Sequence, residues 1–358
     1  MKVLTIVGAR PQFIKAWPVG RAFQEASIDE HLVHTGQHYD DRMSQVFFDE
    51  MGIRRPDRNL EVGSGSHGAM TGRMLIALEQ VMIEERPDWV LVYGDTNTTL
   101  AGALAACKLE IPIAHVEAGL RSFNRSMPEE HNRVLTDHCS ALLLCPTQTA
   151  VDNLAREGVA RGVHLTGDVM FDAVLHFGAL ATSRSRVLER LNVSAGDFYL
   201  ATIHRAYNTD DPSRLLSLLQ SLDALDAPVV FPIHPRTRQR LSDQASGATW
   251  RRVRLVEPVG YLDMLRLEQS ARGILTDSGG VQKEAYFFGV PCFTLRPETE
   301  WVETVTSGWN VLTGTDSLRI ASAVAEWRRP KGDPPAVFGR GHAAQRIAEL
   351  IARAAETP

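Results

Sequence analysis

Three acidic positions have the types and settings that proton chemistry needs. Asp95 lies in Tyr93-Gly-Asp95-Thr-Asn-Thr-Thr, Glu117 in His115-Val-Glu117-Ala-Gly-Leu-Arg121, and Glu129 in Pro128-Glu129-Glu130-His-Asn132-Arg133. The first two follow apolar strand-like runs and the third opens a helical pattern, so all three fall at one rim of the first half of the chain. Carboxylates that converge push each other's pKa values apart and so divide into acid and base roles. Two of them also have a plainer reading: Asp95 as the cap of the next helix, and Glu129, with Glu130, as a partner of a helix dipole. Cations accompany them. Arg10 and Lys15, in Gly8-Ala-Arg10-Pro-Gln-Phe-Ile-Lys15, flank a helix start with Pro11 in its first turn, which suits a phosphate ester; the alternative is an exposed basic pair. His38, in Thr35-Gly-Gln-His38-Tyr-Asp40, reads as a hydrogen-bonding pocket residue. Its i,i+4 spacing from His34 spans a strand end and a turn, so no metal site is expected there.

A second group lies in the other half. Leu275-Thr-Asp-Ser278-Gly279-Gly280-Val-Gln-Lys-Glu284 leads from an apolar strand into a helix. Asp277 and Ser278 are good N-cap residues, and the two glycines let a ligand approach the backbone. The unpaired N–H groups of a helix start suit a diphosphate. Glu284, one helical turn beyond Gly280, is placed to accept from a ribose hydroxyl. The plainer reading is a glycine turn with no ligand. Thr202-Ile-His204-Arg205, His234-Pro-Arg236 and Glu257-Pro-Val-Gly-Tyr261 end neighbouring strands. His204 is then either a site residue or a satisfied structural histidine. GxGxxG and GxxxxGK[ST] are both missing, so a dinucleotide or P-loop reading lacks support.

The elements that must position these residues alternate strand and helix throughout, which predicts an α/β fold with doubly wound parallel sheets. Expected strands are Lys2–Val7, His31–His34, Trp89–Tyr93, Ile113–Val116, Ala141–Cys145 and Val163–Leu165, then Tyr199–Ile203, Val229–Ile233, Val253–Val256, Gly273–Leu275 and Cys292–Leu295. In such sheets ligands bind beyond the carboxyl ends of the strands, where the polar clusters fall. A chain of 358 residues predicts two domains. Hydrophobic residues at 44% and charged residues at 23% fit a globular protein. The net charge of −5 is spread along the chain and gives no nucleic-acid or membrane surface. The N-terminus enters a strand at once, without a signal-peptide layout. Cys107, Cys139, Cys145 and Cys292 show no metal spacing and read as reduced core residues of a cytoplasmic protein.

With these residues in hand the chain resembles the non-hydrolysing UDP-N-acetylglucosamine 2-epimerase family. The blocks GARPQFIK, TGQH, YGDTNTTLA, HVEAGLRSF, MPEEHNR, GDVMFD, TIHR, EPVGY, TDSGGVQKEA and GWN carry the resemblance almost end to end. It implies two Rossmann-like domains of the glycosyltransferase-B type with the active site in the interdomain cleft. The expected division is 1–172, a linker region 173–197, a UDP-binding domain 198–340, and a last helix 341–358 crossing back. The resemblance also implies elimination of UDP to a glycal, protonation at C2 from the other face and return of UDP, with no cofactor and no metal. Asp95, Glu117 and Glu129 match the acid/base carboxylates, and His204, Arg10 and Lys15 match positions that stabilise the diphosphate. Ser278, Gly279, Gly280 and Glu284 match the UDP site, Val259 and Met264 the uracil contacts, and Arg133 and His38 complete the substrate-binding set. A homodimer is the family's usual state.

The departures concern the sugar. Trp301 stands where a TERPE block would place an arginine, and TGQHYD, TEW and GWN look more like the branch acting on UDP-2,3-diacetamido-glucuronic acid, while Tyr207 departs from the glutamate of either branch. Remaining alternatives are a hydrolysing 2-epimerase, a glycosyltransferase of the same fold, and a UDP-sugar-binding protein without turnover.

Overall fold

The computed structural model describes residues 1–36, 48, 51–233, 237–238, 241 and 250–356. The described strands form a seven-stranded and a six-stranded sheet. The first contains β1 (Lys2–Val7), β2 (Asp29–His34), β3 (Arg58–Asn59), β4 (Trp89–Tyr93), β5 (Ile113–Val116), β6 (Leu142–Cys145) and β7 (Val163–Leu165). The second contains β8 (Tyr199–Thr202), β9 (Val229–Pro232), β10 (Val253–Val256), β11 (Gly273–Thr276), β12 (Cys292–Thr294) and β13 (Asn310–Leu312). Every pairing is parallel. β4, β5, β6 and β11 are buried along their whole length, as the interior of a parallel sheet covered on both faces requires.

The orders are β3-β2-β1-β4-β5-β6-β7 and β10-β9-β8-β11-β12-β13. In each sheet the winding reverses beside the first strand, between β1 and β4 and between β8 and β11. Open α/β sheets bind ligands at that reversal, beyond the carboxyl ends of the strands. Gly8–Lys15 follows β1 and Asp95 follows β4; His204 follows β8 and Ser278 follows β11. These candidate residues therefore stand at the reversals of both sheets, whereas Glu117 follows β5 and Glu129 lies on the Pro128–Cys139 helix.

The chain divides into two compact units, Met1–Leu175 together with the stretch from Ala336, and His176–Pro335. Residues 173–197, expected as a linker region, hold the end of the Val169–Arg184 helix and the short Val187–Leu191 helix. In the first unit the terminal helix Ala343–Glu356 packs on the Arg10–Glu25 helix, and the Ala344 N–H donates to Asp172 at 2.8 Å. The core of this unit joins β1 and β4 to the helices His67–Glu85 and Asn97–Lys108 through Leu4, Ile6, Met74, Leu78, Val92 and Ala101. Asn97–Lys108 lies close on the sheet: a Cβ at Gly102 would come within 3.0 Å of the Ile6 side chain.

Two strands escaped the sequence reading, β3 and β13. Both are too short for a period, and β13 opens on Asn310, a buried polar residue whose Nδ2 donates to Gln282 at 3.2 Å. One cysteine differs from expectation. Cys145 and Cys292 are buried and Cys139 is half-buried, but Cys107, next to the end of its helix, is exposed. No described helix is long and apolar enough to cross a membrane.

Candidate active site

In the first unit the loops after β4 and β5 lie side by side, the Gly94 N–H donating to Val116 O at 3.0 Å. Glu117 takes a left-handed backbone, φ +68°, which is costly for a residue with a Cβ and is held only where neighbours fix it. Its neighbours do so. His115 spans from Gly94 O to Asp137, 2.7 Å each way. Asp137 also accepts from the Gly119 N–H at 3.1 Å and from Arg121 at 2.7 Å, and Arg121 turns its remaining nitrogens on Glu157. Arg121 thus serves the turn that carries Glu117.

The Glu117 carboxylate, almost fully buried, is paired with Lys15 Nζ. A Cβ at Gly94 would lie 3.3 Å from that carboxylate and 3.8 Å from Lys15 Nζ, so the glycine leaves room beside the pair. Asp95 does not cap the following helix; Thr96 does, accepting from the Thr99 N–H. The Asp95 carboxylate meets Arg133 at 2.6 Å instead. Arg133 is 1% exposed, and its other terminal nitrogen bonds Glu130 at 2.9 Å. Asn132 binds Asp95 O at 2.9 Å. The Pro128–Cys139 helix therefore clamps the Asp95 loop through two successive residues.

The two adjacent acids at that helix start have separate fates. Glu130 accepts from the Ser122 N–H and hydroxyl and the Phe123 N–H, at 2.8–2.9 Å, besides Arg133. Glu129 is half-buried, and no hydrogen bond or ion pair engages its carboxylate among the described residues. The three carboxylates expected to confront one another differ by partner: Lys15 for Glu117, Arg133 for Asp95, none described for Glu129.

Arg10 begins its helix, half-buried, at the β1 side of the reversal. Gln12 joins the loops there. Its Oε1 accepts from the Gly8 and Ala9 N–H groups at 2.7 and 3.2 Å, and its Nε2 donates to Tyr93 O at 2.7 Å. Sequence reading passed over Gln12, His115 and Asp137. They lie within quoted blocks or a helix, and their importance comes from partners as many as 87 positions away.

The second unit places Asp277, fully buried, at the end of β11. It accepts from the His204 and Arg205 N–H groups at 3.1 Å, from Asn208 at 3.0 Å and from His204 Nδ1 at 3.1 Å. Burial alone would raise the Asp277 carboxyl; the hydrogen bond and charge of His204, with Asn208 and the Arg205 backbone, outweigh it and hold the group below the usual carboxylate range. With Nδ1 engaged and the ring 56% exposed, His204 presents Nε2 outward. Ser278 is the N-cap, accepting from the Val281 N–H; Asp277, also suited to that role, is turned inward. A Cβ at Gly279 would stand 2.6 Å from Glu300 Oε1 and 3.2 Å from Trp301 Nε1. Trp301 is buried, with Lys283 Nζ 4.0 Å from its ring centre.

Glu284 is buried and accepts from Tyr261 Oη at 2.9 Å. Val259, in the loop after β10, and Met264, on the Tyr261–Ser270 helix, are half-buried against the adjoining core. Tyr207 is 59% exposed under Arg214, whose guanidinium carbon is 3.8 Å from the ring centre. His38, His234 and Arg236 lie outside the described residues. No group of three or more potential metal-ligating side chains occurs among the described residues.

Two doubly wound parallel sheets, with polar clusters at both reversals, define an α/β protein of the glycosyltransferase-B type. The family model for UDP-N-acetylglucosamine 2-epimerase matches residues 21–352. The chain belongs to that family, whose members are isomerases. It is 51% identical over 364 residues to a Pseudomonas aeruginosa UDP-2,3-diacetamido-2,3-dideoxy-D-glucuronate 2-epimerase, covering 99% of this chain and 100% of that one. It is 49% identical over 357 residues to a Methanococcus maripaludis UDP-N-acetylglucosamine 2-epimerase homolog, covering 98% and 99%. The Methanocaldococcus jannaschii UDP-GlcNAc 2-epimerase, solved in complex with UDP-GlcNAc and UDP, superposes with a TM-score of 0.91 at 44% identity, covering 99% of this chain and 100% of that one.

Proposed function

We propose that this protein interconverts UDP-N-acetylglucosamine and UDP-N-acetylmannosamine without hydrolysis. The observation that carries the reading is the carboxylate set of the first unit: Glu117 paired with Lys15, Asp95 clamped by Arg133, and Glu129 open. The C2 hydrogen of the sugar is not adjacent to a carbonyl, so direct deprotonation is unfavourable. Elimination offers a route: a base takes the C2 proton as the C1–O bond to UDP breaks, leaving a 2-acetamidoglucal. An acid then delivers a proton to C2 from the opposite face, and the UDP oxygen re-forms its bond to C1. Asp95, Glu117 and Glu129 supply the proton-transfer groups, and Arg133 is the positioning residue for Asp95. Arg10, Lys15 and His204 stabilise the diphosphate as it departs, His204 through Nε2 while Asp277 holds Nδ1. Ser278, Gly279 and Gly280 receive the diphosphate at the helix start, Glu284 takes the ribose, and Val259 and Met264 lie by the uracil. The enzyme is cytoplasmic and homodimeric in this reading; sedimentation equilibrium checks the second point.

A second reading keeps the chemistry and changes the sugar to UDP-2,3-diacetamido-2,3-dideoxyglucuronate. It is favoured by the 51% identity to the Pseudomonas enzyme and by the Lys283–Trp301 pair, with Trp301 where the other branch has an arginine. Proton NMR in D2O with each substrate separately decides between them. Conversion of UDP-N-acetylglucosamine to a manno isomer carrying deuterium at C2 supports the first reading. Turnover of the uronate alone moves the assignment to the second. Free sugar without a nucleotide-linked epimer overturns both.

A further inference from the structure

Behind Glu284 lies a second carboxyl group that the proposed reaction does not use. Glu268, on the Tyr261–Ser270 helix, is 0% exposed. Neither of its oxygens receives a hydrogen bond from a described donor. Its side chain is within hydrogen-bond reach of Glu284 on the adjoining Gly279–Phe287 helix. The surroundings are apolar: Leu267, Ala271, Ala285 and Val290 belong to one buried cluster. A buried carboxylate with no donor is among the costliest arrangements in a protein interior, and two carboxylates in contact cannot both ionise there. One proton shared between them resolves both problems. Glu284 has an external donor, Tyr261 Oη at 2.9 Å, whereas Glu268 has none described, so the proton resides on Glu268.

We propose that Glu268 is a positioning residue: as a neutral acid it donates to Glu284 and, with Tyr261, fixes that carboxylate as an ionised acceptor for the ribose hydroxyls of the nucleotide. This rests on the reading of Glu284 as the ribose residue. Burial raises the Glu268 carboxyl well above its ordinary value, and the neighbouring Glu284 charge adds to that. Among the described residues, the titratable and charged groups on the adjoining elements supply no competing proton or cation. Burial holds Tyr261 on the same helix, and Cys292 on β12, neutral. Arg190 on the Val187–Leu191 helix is bound by Asp263 at 2.6 Å, and Lys283 stands over Trp301. Glu303, on the Val302–Thr306 helix beyond, adds no positive charge.

The test compares calorimetric affinities for UDP and 2′,3′-dideoxy-UDP in the full-length protein and its Glu268→Gln, Glu268→Leu and Glu284→Gln variants. The parent is expected to prefer UDP by at least about tenfold, as loss of a charge-assisted hydrogen bond implies. Glu268→Gln, still a neutral donor, should keep that preference and Glu268→Leu should lose most of it. Infrared spectra at neutral pH should show a protonated-carboxyl stretch that Glu268→Gln removes. A preference unaffected by Glu284→Gln overturns the ribose reading itself. A preference lost in Glu284→Gln but intact in a folded Glu268→Leu overturns this proposal alone. So does a preference lost equally in Glu268→Gln and Glu268→Leu. Should Glu268→Leu fail to fold by circular dichroism, Glu268→Gln and the infrared band still decide: a parent spectrum without that band overturns the proposal.

Discussion

At the scale of single residues the three carboxylates are distinguished by what holds them. Positioned general acids and bases contribute about 10²–10⁴-fold each. Asp95→Asn, Glu117→Gln and Glu129→Gln are therefore expected to slow epimerisation by roughly that factor, with UDP affinity little changed. Deuterium incorporation at C2, followed by NMR beside calorimetric UDP titration, checks this; near-normal turnover in all three would remove the acid/base assignment. Glu284→Ala should weaken UDP binding by about 1–3 kcal/mol, and an unchanged dissociation constant would count against the ribose contact. The cysteines give a separate check. Cys107 is exposed, while burial pushes the Cys145 and Cys292 thiols up to about 12. Thiolate is the reactive form, so mild alkylation followed by peptide mass spectrometry should label Cys107 and leave Cys145 and Cys292 unmodified.

At the scale of elements, the turns after the strands are built to aim side chains. The turn after β5 depends on Asp137, which joins His115, Gly119 and Arg121 in the interior. Asp137→Ala leaves the His115 ring and the Gly119 N–H without their acceptor and Arg121 with Glu157 as its one described carboxylate partner, and buried polar groups left unsatisfied cost about 1–3 kcal/mol each. Chemical denaturation should show that loss, and with it a fall in activity as Glu117 leaves its strained backbone. The glycine turn after β11 is constrained by packing as well as by any ligand. Gly279→Ala drives a methyl group onto Glu300 and Trp301, an overpacking change worth about 1–3 kcal/mol. A lower melting temperature together with weaker UDP binding is the expected outcome, and unchanged stability would show that Glu300 moves aside easily.

At the scale of the whole molecule, stability and pH are linked through Asp277. Its folded-state carboxyl lies below the ordinary value, so as the pH falls the unfolded chain takes up the proton first. The stabilisation is complete above about pH 4, the ordinary aspartate range, and is lost as the pH drops through the lowered folded value. His204→Ala removes one source of that depression, and acid unfolding of the variant should begin at higher pH than in the parent. The terminal helix has its own expected effect. Ala343, Ala344, Ile347, Ala348 and Ile351 are buried, and the helix that holds them packs on Arg10–Glu25. Ending the chain after Pro335 should lower the melting of the first unit and with it catalysis; calorimetry resolves this from the melting of the second unit.

Alternating apolar runs determined that the sheets are parallel and doubly wound, because strand and helix periods are local properties of the chain. The loop chemistry after those strands was equally legible: carboxylates, cations and a glycine turn must follow the strands that deliver them. The resemblance carried by those blocks identified the family. The order of the strands was not legible, and it is this order that puts Gly8–Lys15 beside Asp95 and His204 beside Ser278. The division of labour within motifs also came only from the tertiary structure. Of two adjacent acids, Glu130 is consumed by Ser122 and the Phe123 N–H, while no described residue engages the Glu129 carboxylate. Of two good cap residues, Ser278 caps and Asp277 turns inward to orient His204. Gln12, Asp137 and Glu268 gave no signal, because a buried polar side chain takes its meaning from the partner it meets in space. That partner is fixed by packing, tens of residues away along the chain.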